Sequence, residues 1–119
     1  MKKTLLLLSM FFVLLASAAF AGKQDFVLVN KTGVEIHAVY VSPSKSNDWE
    51  EDILGDDTLP NGESVEITFD RSENASMWDL RIEDSDGNSI EWSDIPLKKV
   101  NKITLTYNQK SGKGTATFD

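Results

Sequence analysis

The chain is 119 residues long, with 12 Lys and Arg against 19 Asp and Glu, one His and no Cys. Its net charge of −7 argues against nucleic acid and anionic lipid as partners, because both need clustered Lys and Arg. The absence of Cys excludes a disulfide framework, thiol chemistry and a Cys-based zinc site, and a single His excludes a His-rich metal site.

Lys2 and Lys3 supply a positive start, Leu5 to Leu15 is almost wholly apolar, and Ala19-Phe20-Ala21 is an A-x-A cleavage pattern. That order predicts a secretory signal peptide over residues 1–21, cleaved after Ala21. The apolar run falls short of the ~20 residues a stable span needs, so no membrane insertion is expected after cleavage. No Cys follows it to carry a lipid. The expected destination is the periplasm or the medium. Taking 21 residues from 119 leaves 98, a single domain over 22–119. Loss of Lys2 and Lys3 leaves ten basic against nineteen acidic residues, a net charge of −9.

Phe26 to Val29 reads as a strand, Asn30-Lys31-Thr32-Gly33 as a turn, and Val34, Ile36, Ala38 and Tyr40 alternate with Glu35, His37, Val39 and Val41. This pattern predicts a β-hairpin, ended at Pro43, which has no ladder donor. Residues 43–61 form a polar connection. Within it, Asn47 to Gly55 predicts one short helical turn, capped by Ser46 or Asn47, with Trp49, Ile53 and Leu54 on one side. Val65, Ile67 and Phe69 resume the alternation. Trp78, Leu80 and Ile82 lead through Asp84-Ser85-Asp86-Gly87-Asn88 into Ile90 and Trp92, a tight hairpin that would pair Trp78 with Trp92 across strands. Ile95-Pro96-Leu97 makes a corner, Ile103, Leu105 and Tyr107 a strand, and Thr115 to Phe118 the last one. About seven short strands and no long helix predict an all-β fold. It is an antiparallel β-sandwich, immunoglobulin-like or similar, with a small β-barrel as the alternative.

Two segments are candidate sites. Asp48, Glu50, Glu51, Asp52, Asp56 and Asp57 surround Trp49 in the 43–61 loop. Their carboxylates suit a hard cation or a polar rim around an aromatic anchor, and equally a solvated loop. Asp84, Asp86 and Asn88 resemble part of a Ca²⁺ loop, but Glu91 comes too soon to complete it, and Asp-Gly in a hairpin has its own structural reason. His37 sits on the polar set of its strand, and no G-x-S-x-G elbow accompanies it.

Phe26-Val-Leu-Val-Asn30-Lys-Thr-Gly33, Tyr40-Val-Ser-Pro43, Asp48-Trp49 and Asp52-Ile-Leu-Gly55 resemble a family of small exported bacterial β-proteins of uncharacterised function. The likeness continues through Trp78-Asp79-Leu80, Glu91-Trp92-Ser93 and Ile103 to Tyr107, and so spans most of the exported part. Some members carry the name argininosuccinate lyase. Such lyases are large helical cytoplasmic enzymes, and this chain has no part of their Gly-Ser-Ser loop. The resemblance implies one cysteine near Ser76 or Met77 and another near Lys98; this chain has neither, and so lacks any bridge they would form. It implies no catalytic residues, and it draws attention to Trp49 and its acidic neighbours.

The expected function is an exported, non-enzymatic binding or interaction domain, using Trp49, Asp48, Asp52, Asp56 and Asp57 on an unknown protein or small ligand. A calcium-stabilised structural domain, using Asp84, Asp86 and Asn88, is the alternative. A small hydrolase built on His37 or a carboxylate pair has the least support.

Overall fold

The computed structural model describes residues 24–70 and 72–119, so the predicted leader and its cleavage site lie outside the described residues. Within them are seven strands: β1 Phe26–Lys31, β2 Ala38–Pro43, β3 Ser64–Ile67, β4 Trp78–Glu83, β5 Ser89–Ile95, β6 Lys102–Asn108 and β7 Lys113–Phe118. They form two sheets, ordered β3-β1-β6-β7 and β2-β4-β5. The pairs are antiparallel except β1 with β6, which run parallel. The fold is therefore a β-sandwich and not a closed barrel. Its strand order also differs from the ABED and CFG sheets of an immunoglobulin domain.

Alternation on each strand buries one face. Phe26 and Leu28 of β1, Ile67 of β3, and Ile103 and Leu105 of β6 meet Val39 of β2 and Trp78, Leu80 and Ile82 of β4. Ile36, Leu54, Leu59, Leu97 and Val100 close the ends. Trp78 packs on Phe69, with ring centroids 4.7 Å apart. Its indole N–H donates to Gln24 Oε1 at 2.9 Å, and Gln24 is itself tied to the backbone of Glu73 and Ala75. On β5, Ile90 and Trp92 face inward, and Asp94 would follow them. A bulge opposite Asp79, with Asp94 at φ 59°, inserts one residue and turns Ile95 inward instead.

The expected hairpin of β1 and β2 does not form, since the two strands belong to different sheets. Asn30, wholly buried, explains the departure. Its amide nitrogen donates to the carbonyls of Val34 and Leu59, both at 2.8 Å, and its oxygen accepts from the N–H and hydroxyl of Thr32. The chain thus turns away from β1 on side-chain hydrogen bonds, with Gly33 at φ 92°. Ile36 then bridges Leu59, and the register of β2 places Val39 and Val41 inward opposite Ile82 and Leu80. This inverts the expected alternation, which set Tyr40 among the apolar residues.

The helical turn expected over 47–55 is also absent. Glu50 takes φ 64°, which breaks a helix, and a hydrogen-bonded turn covers only 53–56. A 3-10 turn occurs instead at Leu97–Lys99, after Pro96. The expected Trp78–Trp92 pair does not form, because Trp78 stands opposite Ile95 and Trp92 opposite Leu80.

Asn30→Ala removes the partners of two carbonyls and of Thr32 in a buried setting. It is expected to destabilise the fold by roughly 2–4 kcal/mol, read as a lower urea midpoint with an unchanged slope.

Candidate functional site

The 43–61 loop is held at both ends. At its start Ser44 donates its N–H to Met77 O at 3.0 Å and its hydroxyl to Asp79 Oδ1 at 2.6 Å. The same Asp79 oxygen accepts from Asp94 N–H at 3.0 Å, so one carboxylate joins the loop to the β5 bulge. At the far end Asp52 Oδ1 accepts from the N–H groups of Val39 at 2.8 Å and Leu54 at 3.0 Å. Ile53 N–H donates to Val39 O at 2.8 Å. The loop therefore covers the outer edge of β2 in the manner of an extra strand.

Between these anchors lies the segment carrying Trp49. The Ser46 hydroxyl donates to the Asp48 carbonyl and accepts from the Asp48 N–H, making a local turn. Asp48 and Glu50 are exposed, Trp49 is half-buried, and Trp49 takes no part in the core. Glu50 holds its positive φ directly beside Trp49, a conformation costly for a residue with a side chain. Asp56 and Asp57 are exposed on the following turn. The structure thus divides the expected rim: Asp48, Asp56 and Asp57 face solvent, while Asp52 is an internal anchor.

Burial pushes the Asp52 carboxyl up from its ordinary range. The Val39 and Leu54 amides oppose this, and the nearby negative charge of Glu83 adds to it. Tyr40 is raised by burial first, then by Glu83 and Asp52, against Arg81. These groups share the outer side of the β2-β4-β5 sheet, where Arg81 pairs with Glu83 at 3.0 Å and also with Glu91.

Asp84, Asp86 and Asn88 form the turn between β4 and β5. Asp84 Oδ1 accepts from the N–H groups of Asp86 and Asn88, both at 2.9 Å, and Oδ2 accepts from the Asn88 amide at 3.1 Å. These bonds, led by the Asn88 side chain, hold Asp84 below its usual pKa. Both oxygens are occupied by the turn itself. Among the described residues no group of three or more His, Cys, Asp or Glu gathers as a metal site would require. His37 is partly buried and pairs with Glu35 at 3.1 Å. Glu35 is in turn lowered chiefly by the Thr58 hydroxyl.

Two features escaped the sequence pattern. Asp79 reads as an ordinary outward strand acid, and only the fold shows it joining Ser44 to Asp94. A shallow concavity lies at the β6–β7 turn, lined by Thr106, Tyr107, Asn108, Gln109, Lys110 and Thr115. Among the described residues no helix is long and apolar enough to cross a membrane. Comparison with protein-family models, with curated proteins and with solved structures finds no match.

The Asp52 shift fixes the sign of a pH effect. Its folded pKa lies above the unfolded value, so the protonated carboxyl favours the fold; that contribution is fully present below the unfolded pKa and is lost as pH rises through the folded one. Asp52→Asn keeps the acceptor oxygen without the charge. It is expected to match or exceed the parent in stability at pH 7 and to flatten the pH profile above about 4. Asp52→Ala loses both hydrogen bonds and is expected to cost about 1–3 kcal/mol. Asp84 has the opposite sign: its contribution is present at neutral pH and is lost as pH falls through its lowered pKa, so Asp84→Ala weakens the fold at pH 7 and little at pH 2. Urea midpoints measured across pH test all three variants.

Proposed function

We propose that this chain is an exported binding module without catalytic function, and that Trp49 is its contact residue. The observation that carries the reading is a half-buried indole left out of the core, on a segment clamped at both ends by Asp79 and Asp52. A rigid frame presenting one aromatic side chain lowers the entropy lost on binding. Asp48, Glu50, Asp56 and Asp57, near it in sequence, are exposed. This favours a protein or small ligand that lays an apolar or cationic group on the indole, where cation–π attraction and charge act together.

Export rests on Lys2-Lys3, the Leu5–Leu15 run and Ala19-Phe20-Ala21. The resemblance to small exported bacterial β-proteins agrees with it, and that family's residues around Trp49 and Asp52 fall on the clamped loop.

Trp49→Ala is expected to abolish capture of the partner from periplasmic extract while lowering stability by less than about 1 kcal/mol, the range for substitutions away from the core. Trp49→Phe is expected to retain part of it. A collapse of stability with unchanged capture overturns the reading and makes Trp49 a structural plug. Because the Asp84 oxygens serve the turn, 1 mM calcium or a chelator is expected to leave the melting temperature unchanged. A rise with calcium that Asp84→Asn removes would instead support the calcium-stabilised reading.

A further inference from the structure

The two sheets have four outer strands, and three are blunted. On β2 the backbone of Val39 is taken by Asp52 and Ile53, and Pro43 has no N–H. Strand β3 is only four residues long. Strand β5 is interrupted by the bulge at Asp94. Strand β7 has none of these devices. It runs six residues without proline, in unbroken register with β6.

The direction of its free hydrogen-bonding groups follows from its end. Asp119 N–H donates to Lys102 O at 2.9 Å, and Lys102 N–H donates to Asp119 O at 3.2 Å. Alternation along an antiparallel ladder then turns the N–H and C=O groups of Gly114, Ala116 and Phe118 away from β6, to the open edge. The same three residues face inward. A side chain at Gly114 would meet Ile90 Cδ1 at 2.8 Å and Trp92 at 3.3 Å. Phe118 stands opposite the fully buried Ile103 yet is 45% exposed. An inward-facing ring left open marks apolar surface that the monomer does not cover. The other face of β7 carries Lys113, Thr115 and Thr117, followed by Asp119. Charge is also divided: residues 97–119 hold five lysines and one acid, while 24–96 hold the other 18 acids.

We propose that β7 is a self-association edge that pairs with β7 of a second copy, antiparallel about a two-fold axis, with Ala116 opposite the partner's Ala116. In this register Lys113 stands opposite the partner's Asp119, Thr115 opposite the partner's Thr117, and Gly114 opposite the partner's Phe118. Each contact occurs twice. The exposed ring of each copy lies over the glycine of the other, against the Ile90 and Trp92 that already border it. Aromatic–glycine and opposite-charge neighbours are stabilising cross-strand pairs. Sliding the strands by two residues sets Lys113 opposite the partner's Thr117 or beyond the partner's Asp119, so this register alone satisfies both charge and shape. The edge is complementary to itself, as an isologous dimer requires. One strand pair makes a small interface, so the dimer belongs to the weak class.

Sedimentation equilibrium at low salt, up to about 1 mM protein, tests the proposal. A reversible monomer–dimer equilibrium is expected. Lys113→Asp sets like charges opposite one another twice and is expected to raise Kd at least about tenfold. Adding Asp119→Lys to it is expected to restore the parent Kd to within about threefold. Ala116→Pro removes an N–H that the β6–β7 ladder does not use and is expected to abolish the dimer. A melting curve checks that this variant folds, and if it does not, the charge-reversal pair decides alone. The proposal is overturned by a single monomeric species at every concentration, or by a dimer that Lys113→Asp does not weaken. It is equally overturned by a monomer whose β7 amide signals move only when a foreign acidic strand peptide is added.

Discussion

The division of this chain between two sheets depends on one buried amide. Asn30 has two donors and two acceptor sites, and all four are used: Val34 and Leu59 carbonyls on one side, the Thr32 N–H and hydroxyl on the other. Its backbone adds a bond from its N–H to Glu63 O at 2.9 Å and one from Gly62 N–H to its own carbonyl at 2.6 Å. One residue thus binds the end of β1 to the turn after it and to the segment leading into β3. A buried polar group is stabilising only when fully satisfied, and this one is. It sends residues 32–36 out of the β1 sheet, so that β2 joins β4 instead.

The same device recurs wherever the chain must be fixed without a disulfide or a long helix. Gln24 joins Trp78 to the 73–75 segment, Asp79 joins Ser44 to Asp94, and Asp52 joins β2 to Leu54. In each, a side chain takes the role of a missing ladder or cap and satisfies backbone groups that irregular segments expose. Asp52 shows the cost. Its two amide donors do not offset the desolvation of its charge, so the latch is made by a group that the fold holds against its preferred ionisation.

Much of the sandwich was legible because strand alternation is a local signal. Trp78, Leu80 and Ile82, and likewise Ile103 and Leu105, occupy the buried faces that their spacing predicts. Pairing partners were not legible, because they are set by contacts distant in sequence. The parallel union of β1 and β6 joins residues more than seventy positions apart, and no turn residue signals it. Asn30-Lys31-Thr32-Gly33 has the composition of a hairpin turn. The turn is real, but the Asn30 side chain, invisible to pattern, redirects it. Within the candidate site, Trp49 and the exposed acids stood out by composition, whereas Asp52 was indistinguishable from them until its backbone partners were known. The Asp94 bulge was equally hidden, since Ser93-Asp94 reads as ordinary strand with polar residues.

The arrangement of edges bears on the binding role proposed for the Trp49 loop. β2 and β5 are the two outer strands of the three-stranded sheet. The loop is latched to β2, while Ile90 and Trp92 of β5 lie against Gly114 of β7. The loop and the open β7 edge therefore occupy opposite lateral sides of the sandwich. Two copies joined through β7 keep both loops at the far ends, uncovered by the contact that joins them. A weak binding face presented twice on one rigid sheet gains from effective concentration when its target also repeats, by factors that neither loop reaches alone. For the binding role proposed above, a target that itself repeats supplies that repetition, and each indole then needs only modest affinity.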